Sequence, residues 1–180
     1  MLNWRWFCDF GGGIFTDLMV HWMDTALWML DLPPARSAVS IGHHFAAKGV
    51  WETPDTVQTL IDFGDDGPQA HFEGTFVSHH ERAHLVIMGS EATLDCDRGA
   101  YFVTPQRGKK VQPRERIDGR NPEFRGADFY ADVEDGLYHL VNWVDAVRRR
   151  VDPSCPVEDG VRAADIAHMA NAALRKPAHA

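Results

Sequence analysis

Gly11-Gly12-Gly13-Ile14-Phe15-Thr16-Asp17-Leu18-Met19-Val20-His21-Trp22-Met23-Asp24 reads as a glycine-rich turn running into a helix. With residues placed at 100° steps and Asp17 at zero, His21, Asp24, Trp28 and Asp31 fall within about 40° of it. Leu18, Met19, Trp22, Met23, Ala26, Leu27, Met29 and Leu30 fill the opposite side, so this helix buries one face. A carboxylate and an imidazole four residues apart lie one turn apart on the same face. That spacing suits a base with an orienting partner, or two ligands for one metal. It equally suits an Asp complementing the helix dipole and a His at a packing boundary. The helix is expected from about residue 14 to 31, with Thr16 or the glycines as its cap and Leu32-Pro33-Pro34 as its stop. Trp28 within the acidic stripe suggests a cleft wall; without it, Asp17, Asp24 and Asp31 read as a solvated face.

On the N-terminal side, residues 1–13 form an aromatic and glycine-rich opening segment, too apolar for a free tail. The glycines permit a sharp turn or the close approach of another backbone. They are a weak phosphate cradle, because no strand precedes them and no GxGxxG is completed. On the C-terminal side come short strand patterns: Ser37–Phe45, Thr56–Phe63, Gln69–Val77, His84–Met88, Ala92–Cys96 and Ala100–Thr104. The clearest alternates Val57, Thr59, Ile61 and Phe63 against Thr56, Gln58, Leu60 and Asp62. Gly64-Asp65-Asp66-Gly67-Pro68, Gly89-Ser90 and Asp97-Arg98-Gly99 are the turns of an antiparallel meander. Residues 105–130, rich in Gly, Pro and Arg, read as one long loop. Asp132–Arg150 and Val157–Lys176 carry helical spacing, the second lined by small residues that allow close packing. Helix, sheet, then helices is an α+β order: an open, mostly antiparallel sheet with helices on one face and no Rossmann unit.

The 180 residues set an expectation of a single domain. No apolar run reaches the roughly 18 residues of a membrane span, and no signal peptide is visible. The net charge of −8 with dispersed basic residues argues against nucleic acid. Cys8, Cys96 and Cys155 are odd in number and form no CxxC pair, which points to a reducing, cytoplasmic setting rather than a disulfide framework. His43, His44, His79, His80 and His168 lack ligand spacing and read as surface or sheet-face residues, so no metal is expected.

The motif Gly11-Gly12-Gly13-Ile14-Phe15-Thr16-Asp17-x-x-x-His21-x-x-Asp24 resembles that of the Gfo/Idh/MocA oxidoreductases. The likeness continues in Trp4-x-Trp6-x-x-Asp9, Thr53-Pro54-Asp55-Thr56, Gly89 to Tyr101, Asn142-Trp143-x-Asp145 and His168-Met169-Ala170-Asn171. It covers most of the chain but only the family's C-terminal, substrate-side domain. The resemblance implies a two-domain, NAD(P)-dependent enzyme acting on a sugar or polyol, with an oligomer interface on the open sheet face. It implies that His21 is the acid/base for a sugar hydroxyl and that Asp17 orients it or the substrate. Trp4, Trp6, Asp9 and Asp24 become substrate-side residues. A neutral imidazole can accept the hydroxyl proton near pH 7.

The family's Glu-Lys-Pro motif and its GxGxxG are absent from the sequence, Met19 stands where a glycine is common, and Ala92 replaces another. NAD or NADP therefore belongs to the complete enzyme, with none expected on this chain alone and a separate Rossmann-domain chain as a candidate partner. Two other readings stay open: a non-redox binding or assembly module, and a metal-dependent sugar lyase or hydrolase built on Asp17, His21 and a further histidine.

Overall fold

The alternation of Val57, Thr59 and Ile61 with Gln58 and Leu60 makes a strand with one buried face, and the rest of its layer follows from it. The computed structural model of the chain describes residues 3–78, 83–97, 100–117 and 133–175. They divide into two compact units, Met1–His79 with Asp152–Ala180, and His80–Val151.

In the first unit, β1 (Ser37–His43), β2 (Thr56–Asp62) and β3 (Gln69–Thr75) form an antiparallel sheet in that order. The register sets Val39 opposite Leu60 and Leu60 opposite His71. Helix α3 (Val157–Arg175) lies on one face, and α1 (Val20–Leu30) packs against α3. Their core joins Ile14, Phe15, Met19, Met23 and Leu27 to Val57, Ile61, Ile166 and Ala167. Ala163, Ala167 and Ala170 are fully buried, which lets α3 approach α1 and the sheet closely. Thr59 is polar within this core, but its hydroxyl accepts from Ser40 Oγ at 2.8 Å and donates to the Val39 carbonyl at 3.1 Å. Both roles of the group are filled, so its burial is tolerated. The opposite face leaves Val39, Ile41 and Leu60 exposed.

The helix expected over 14–31 is not uniform. Phe15–Met19 is a π turn, α1 proper begins at Val20, and Asp31 is its left-handed C-cap at φ 47°. Arg162 of α3 donates to the Leu32 carbonyl just beyond that end, supplying a partner where helix carbonyls are otherwise unpaired.

In the second unit, β4 (Leu85–Met88), β5 (Ala92–Cys96), β6 (Ala100–Pro105) and β7 (Arg114–Ile117) form an antiparallel sheet in sequence order. Helix α2 spans Val133–Arg149. β7 corrects the reading of 105–130 as one loop: Arg114, Glu115 and Arg116 pair with Val103, Phe102 and Tyr101 of β6. A strand of alternating charges carries no hydrophobic signal, and its place at the sheet edge needs none. The remainder of the expected loop, 118–130, and the Arg98-Gly99 turn lie outside the described residues. The meander is therefore two antiparallel sheets, and the α+β class stands.

Candidate functional site

The site is built on the opening segment. Trp4–Trp6 forms a single 3-10 turn, capped where Asn3 Oδ1 accepts from the Arg5 amide at 3.2 Å. Trp6 is 8% exposed. Its ring stacks on Trp51 with centroids 4.2 Å apart, and Phe76 meets it edge-on at 4.7 Å. Its carbonyl accepts the amides of Glu52 and Thr53 at 3.0 and 3.2 Å. Trp6 is thus a buried anchor of the opening segment, its ring packed on Trp51 and Phe76.

Each glycine then answers a packing demand. A Cβ on Gly11 would lie 3.0 Å from the Arg5 backbone. Gly12 donates its amide to Thr16 Oγ1 and accepts Asn171 Nδ2, both at 2.9 Å. A Cβ there would stand 2.5 Å from that Asn171 nitrogen. Gly13 takes φ +62°, and a Cβ would fall 2.7 Å from Thr53 Cβ. The triplet brings the opening segment, Thr53 and α3 onto the helix start. The space a phosphate cradle needs is taken up by these side chains.

The chain next enters the π turn, with Ile14, Phe15 and Met19 buried and Asp17 facing outward. Asp17 Oδ1 accepts from Arg5 Nε at 2.6 Å, with side chains 41% and 27% exposed for Arg5 and Asp17. The Arg5 guanidinium also lies 4.7 Å from the Trp4 ring centroid. Trp4 is 55% exposed. No hydrogen bond among the described residues joins Asp17 to His21. His21 is exposed on the first turn of α1, and its carbonyl accepts from Thr25 Oγ1 at 3.0 Å. The structure therefore assembles Trp4, Arg5 and Asp17, with His21 following on the same segment. Asp9 is exposed on the turn before the glycines, Asp24 is half-buried on α1, and Trp28 is largely exposed. No group of three His, Cys, Asp or Glu able to hold a metal occurs among the described residues, and His79 and His80 lie outside them.

Arg5, Asn171 and Asp55 have structural roles that the sequence pattern hides. Asn171 closes the stretch His168-Met169-Ala170-Asn171, whose spacing carries no sign of its reach to Gly12. Arg5 is twelve residues from Asp17, a distance at which no periodicity speaks. Asp55, next to Pro54 in the stretch Thr53-Pro54-Asp55-Thr56, is 1% exposed. Its carboxylate accepts the amides of Phe45, Ala46 and Ala47 and the Thr56 hydroxyl. Burial alone would push its pKa up, but these donors outweigh burial and hold it at about 2.

A family model described as the GFO/IDH/MocA C-terminal domain matches residues 1–95, the span holding this whole assembly except Asn171. Among solved structures, the fold is similar to levoglucosan dehydrogenase in complex with NADH and levoglucosan, at TM-score 0.71 and 19% identity, over 96% of this chain and 51% of that one. It is similar to aldose-aldose oxidoreductase from Caulobacter crescentus complexed with glycerol, at TM-score 0.70 and 14% identity, over 96% and 49%. It is similar also to a UDP-N-acetylglucosamine 3-dehydrogenase from Acidithiobacillus ferrooxidans, at TM-score 0.68 and 13% identity, over 89% and 46%. No curated protein sequence matches. The chain spans about half the length of these structures, and at such identities the likeness is one of fold.

Proposed function

The chain belongs to the GFO/IDH/MocA family through its C-terminal domain, and on that premise we propose that it is the substrate side of an NAD(P)-dependent oxidoreductase acting on a sugar or polyol. Both units are read as parts of that one domain. The observation that carries the proposal is the segment Gly11–His21, which sets Asp17 and His21 at the solvent side of a helix start while burying Ile14, Phe15 and Met19 behind them. A buried helix start with an exposed imidazole is a rigid mount for proton transfer. His21, with no side-chain partner among the described residues, is assigned as the group that takes the proton of a substrate hydroxyl. Asp17, engaged by Arg5, is assigned to hold Arg5 and the substrate rather than the His21 ring.

The dinucleotide does not fit the glycine triplet, because Asn171, Thr16 and Thr53 already occupy the space beside it. We therefore assign the cofactor to residues outside these 180, on another segment or another chain, and derive no step on it. The solved relatives include a levoglucosan dehydrogenase with NADH bound, which supports NAD(P) for the complete enzyme. The exposed row Val39, Ile41 and Leu60 supports an oligomer formed through the outer sheet face. No described helix is long and apolar enough to cross a membrane. With free Cys8, Cys96 and Cys155, we place the protein in the cytoplasm, with neither nucleic acid nor membrane as partner.

The test begins with NADH and NADPH binding by the chain alone, followed by a sugar and polyol panel in the presence of a nucleotide-binding partner protein. We expect no binding alone, and dinucleotide reduction when the two are combined. His21→Asn should lower kcat/KM by about 10²–10⁴. Tight dinucleotide binding by the chain alone would overturn the division of labour, and an unaffected His21→Asn enzyme would overturn the role of His21.

A further inference from the structure

Resting on the sugar-oxidoreductase reading, we infer that the site selects a sugar bearing a carboxylate, an aldonate or uronate, held by the outer edge of the Arg5 guanidinium. Three observations converge on Arg5. Its Nε is held by Asp17 Oδ1 at 2.6 Å. Its guanidinium lies over the Trp4 indole at 4.7 Å. Its Nη1 and Nη2 make no hydrogen bond among the described residues, and the side chain is 41% exposed.

An arginine fixed on one edge and across one face presents its remaining N–H groups as a preformed fork. Such a fork matches the two coplanar oxygens of a carboxylate, which it binds bidentately. Because the side chain is already ordered, binding loses less rotamer entropy than it would on a free surface arginine. The neighbouring charges favour a monoanion. Asp17 already brings one negative charge to the guanidinium, so a phosphate near two charges would meet stronger repulsion than a carboxylate. In a chain of net charge −8, anion binding needs a local cation with free donors, and Arg5, held by Asp17 four residues before His21, supplies it. The exposed Trp4 indole adds an apolar surface beside the fork.

The experiment titrates the 180-residue chain with sodium glucuronate, methyl glucoside and glucose 6-phosphate, following NMR shifts of the tryptophan and histidine side chains. Glucuronate is expected to bind at least about fivefold more tightly than methyl glucoside, a charge-assisted contact discounted for partial exposure. It is expected also to bind more tightly than the phosphate. The preference should shrink as salt rises toward about 1 M. Arg5→Gln should bring the two sugars within about twofold of each other, while Arg5→Lys, which keeps the charge but not the fork, should retain part of the preference. Melting curves of both variants establish that they are folded, and the salt series on the unaltered chain tests the charge without any variant. Equal binding of glucuronate and methyl glucoside, a preference that survives Arg5→Gln, a preference insensitive to salt, or tighter binding of the phosphate would each overturn the inference while leaving the sugar-site reading standing. Absence of binding by all three would overturn the sugar-site reading, and this inference with it.

Discussion

Replacing Asp55 with asparagine removes a buried charge on which one loop hangs. The carboxylate accepts Phe45 N at 3.0 Å, Ala46 N and Ala47 N at 2.8 Å, and the Thr56 hydroxyl at 3.2 Å. Its pKa moves from 3.8 to about 2 against the opposing effect of burial. A drop of nearly two units, at about 1.36 kcal/mol each, is worth about 2 kcal/mol of folding stability. The sign follows from linkage. The folded pKa is depressed, so the contribution is fully present above the unfolded value of 3.8 and is lost as pH falls toward about 2. Asparagine keeps one acceptor oxygen but no charge, so Asp55→Asn should be about 2 kcal/mol less stable at neutral pH. Urea unfolding of both proteins across a pH series checks this. The gap between them should narrow between about pH 4 and about pH 2 and have largely closed at the lower end. Asp62, also held low by the Gly64 amide and Arg36, titrates in both proteins and cancels in the difference. A gap that stays constant over that range would refute the reasoning, because the charge would then contribute nothing that protonation removes.

Gly13→Ala should cost about 2–4 kcal/mol in chemical unfolding, since it combines φ +62° with a Cβ placed 2.7 Å from Thr53 Cβ. Trp6→Ala should cost about 3–5 kcal/mol through loss of its stack on Trp51 and its edge contact with Phe76, whereas Trp4→Ala, more than half exposed, should cost under about 1 kcal/mol. Leu60→Lys, placed between Val39 and His71 on the outer sheet face, should shift sedimentation toward monomer with little change in melting temperature, because the side chain is exposed within one chain.

The sheet of the first unit was legible because β2 alternates cleanly and its partners carry matching patterns; boundaries of β1, β2 and β3 moved by two residues at most. α3 was legible through its small buried residues for the same reason. β7 was not, because Arg-Glu-Arg states no burial preference and its order comes from pairing with β6. The glycine triplet was legible as a close approach, but what approaches it is Asn171, a residue 159 positions away. Arg5 and Asp55 were hidden for a related reason. Both act through side-chain bonds to groups whose neighbourhood is set by the tertiary fold, and neither has a periodic signature. The shared stripe of Asp17 and His21 assumed constant 100° steps. Phe15–Met19 is instead a π turn, so a regular 100° count does not hold across it.

The opening segment bears directly on which residue Asp17 serves. By spacing alone the carboxylate sits one turn before the imidazole, and orienting His21 would be its natural role. In the structure it meets Arg5 instead, and the ion pair ties the helix start to the segment that carries Trp4 and Trp6. The same surroundings run back to Asp55. Its carboxylate fixes the amides of residues 45–47, and the Ala47 carbonyl accepts Val50 N and Trp51 N. Trp51 stacks on Trp6, and Thr53, bonded to the Trp6 carbonyl, packs on Gly13. A buried charge more than thirty residues along the chain thus helps set the position of the turn that holds Asp17. Loosening that loop should therefore weaken whatever Arg5 and Asp17 bind, while the helix behind them, anchored by Phe15 and Met19 in the core, stays folded.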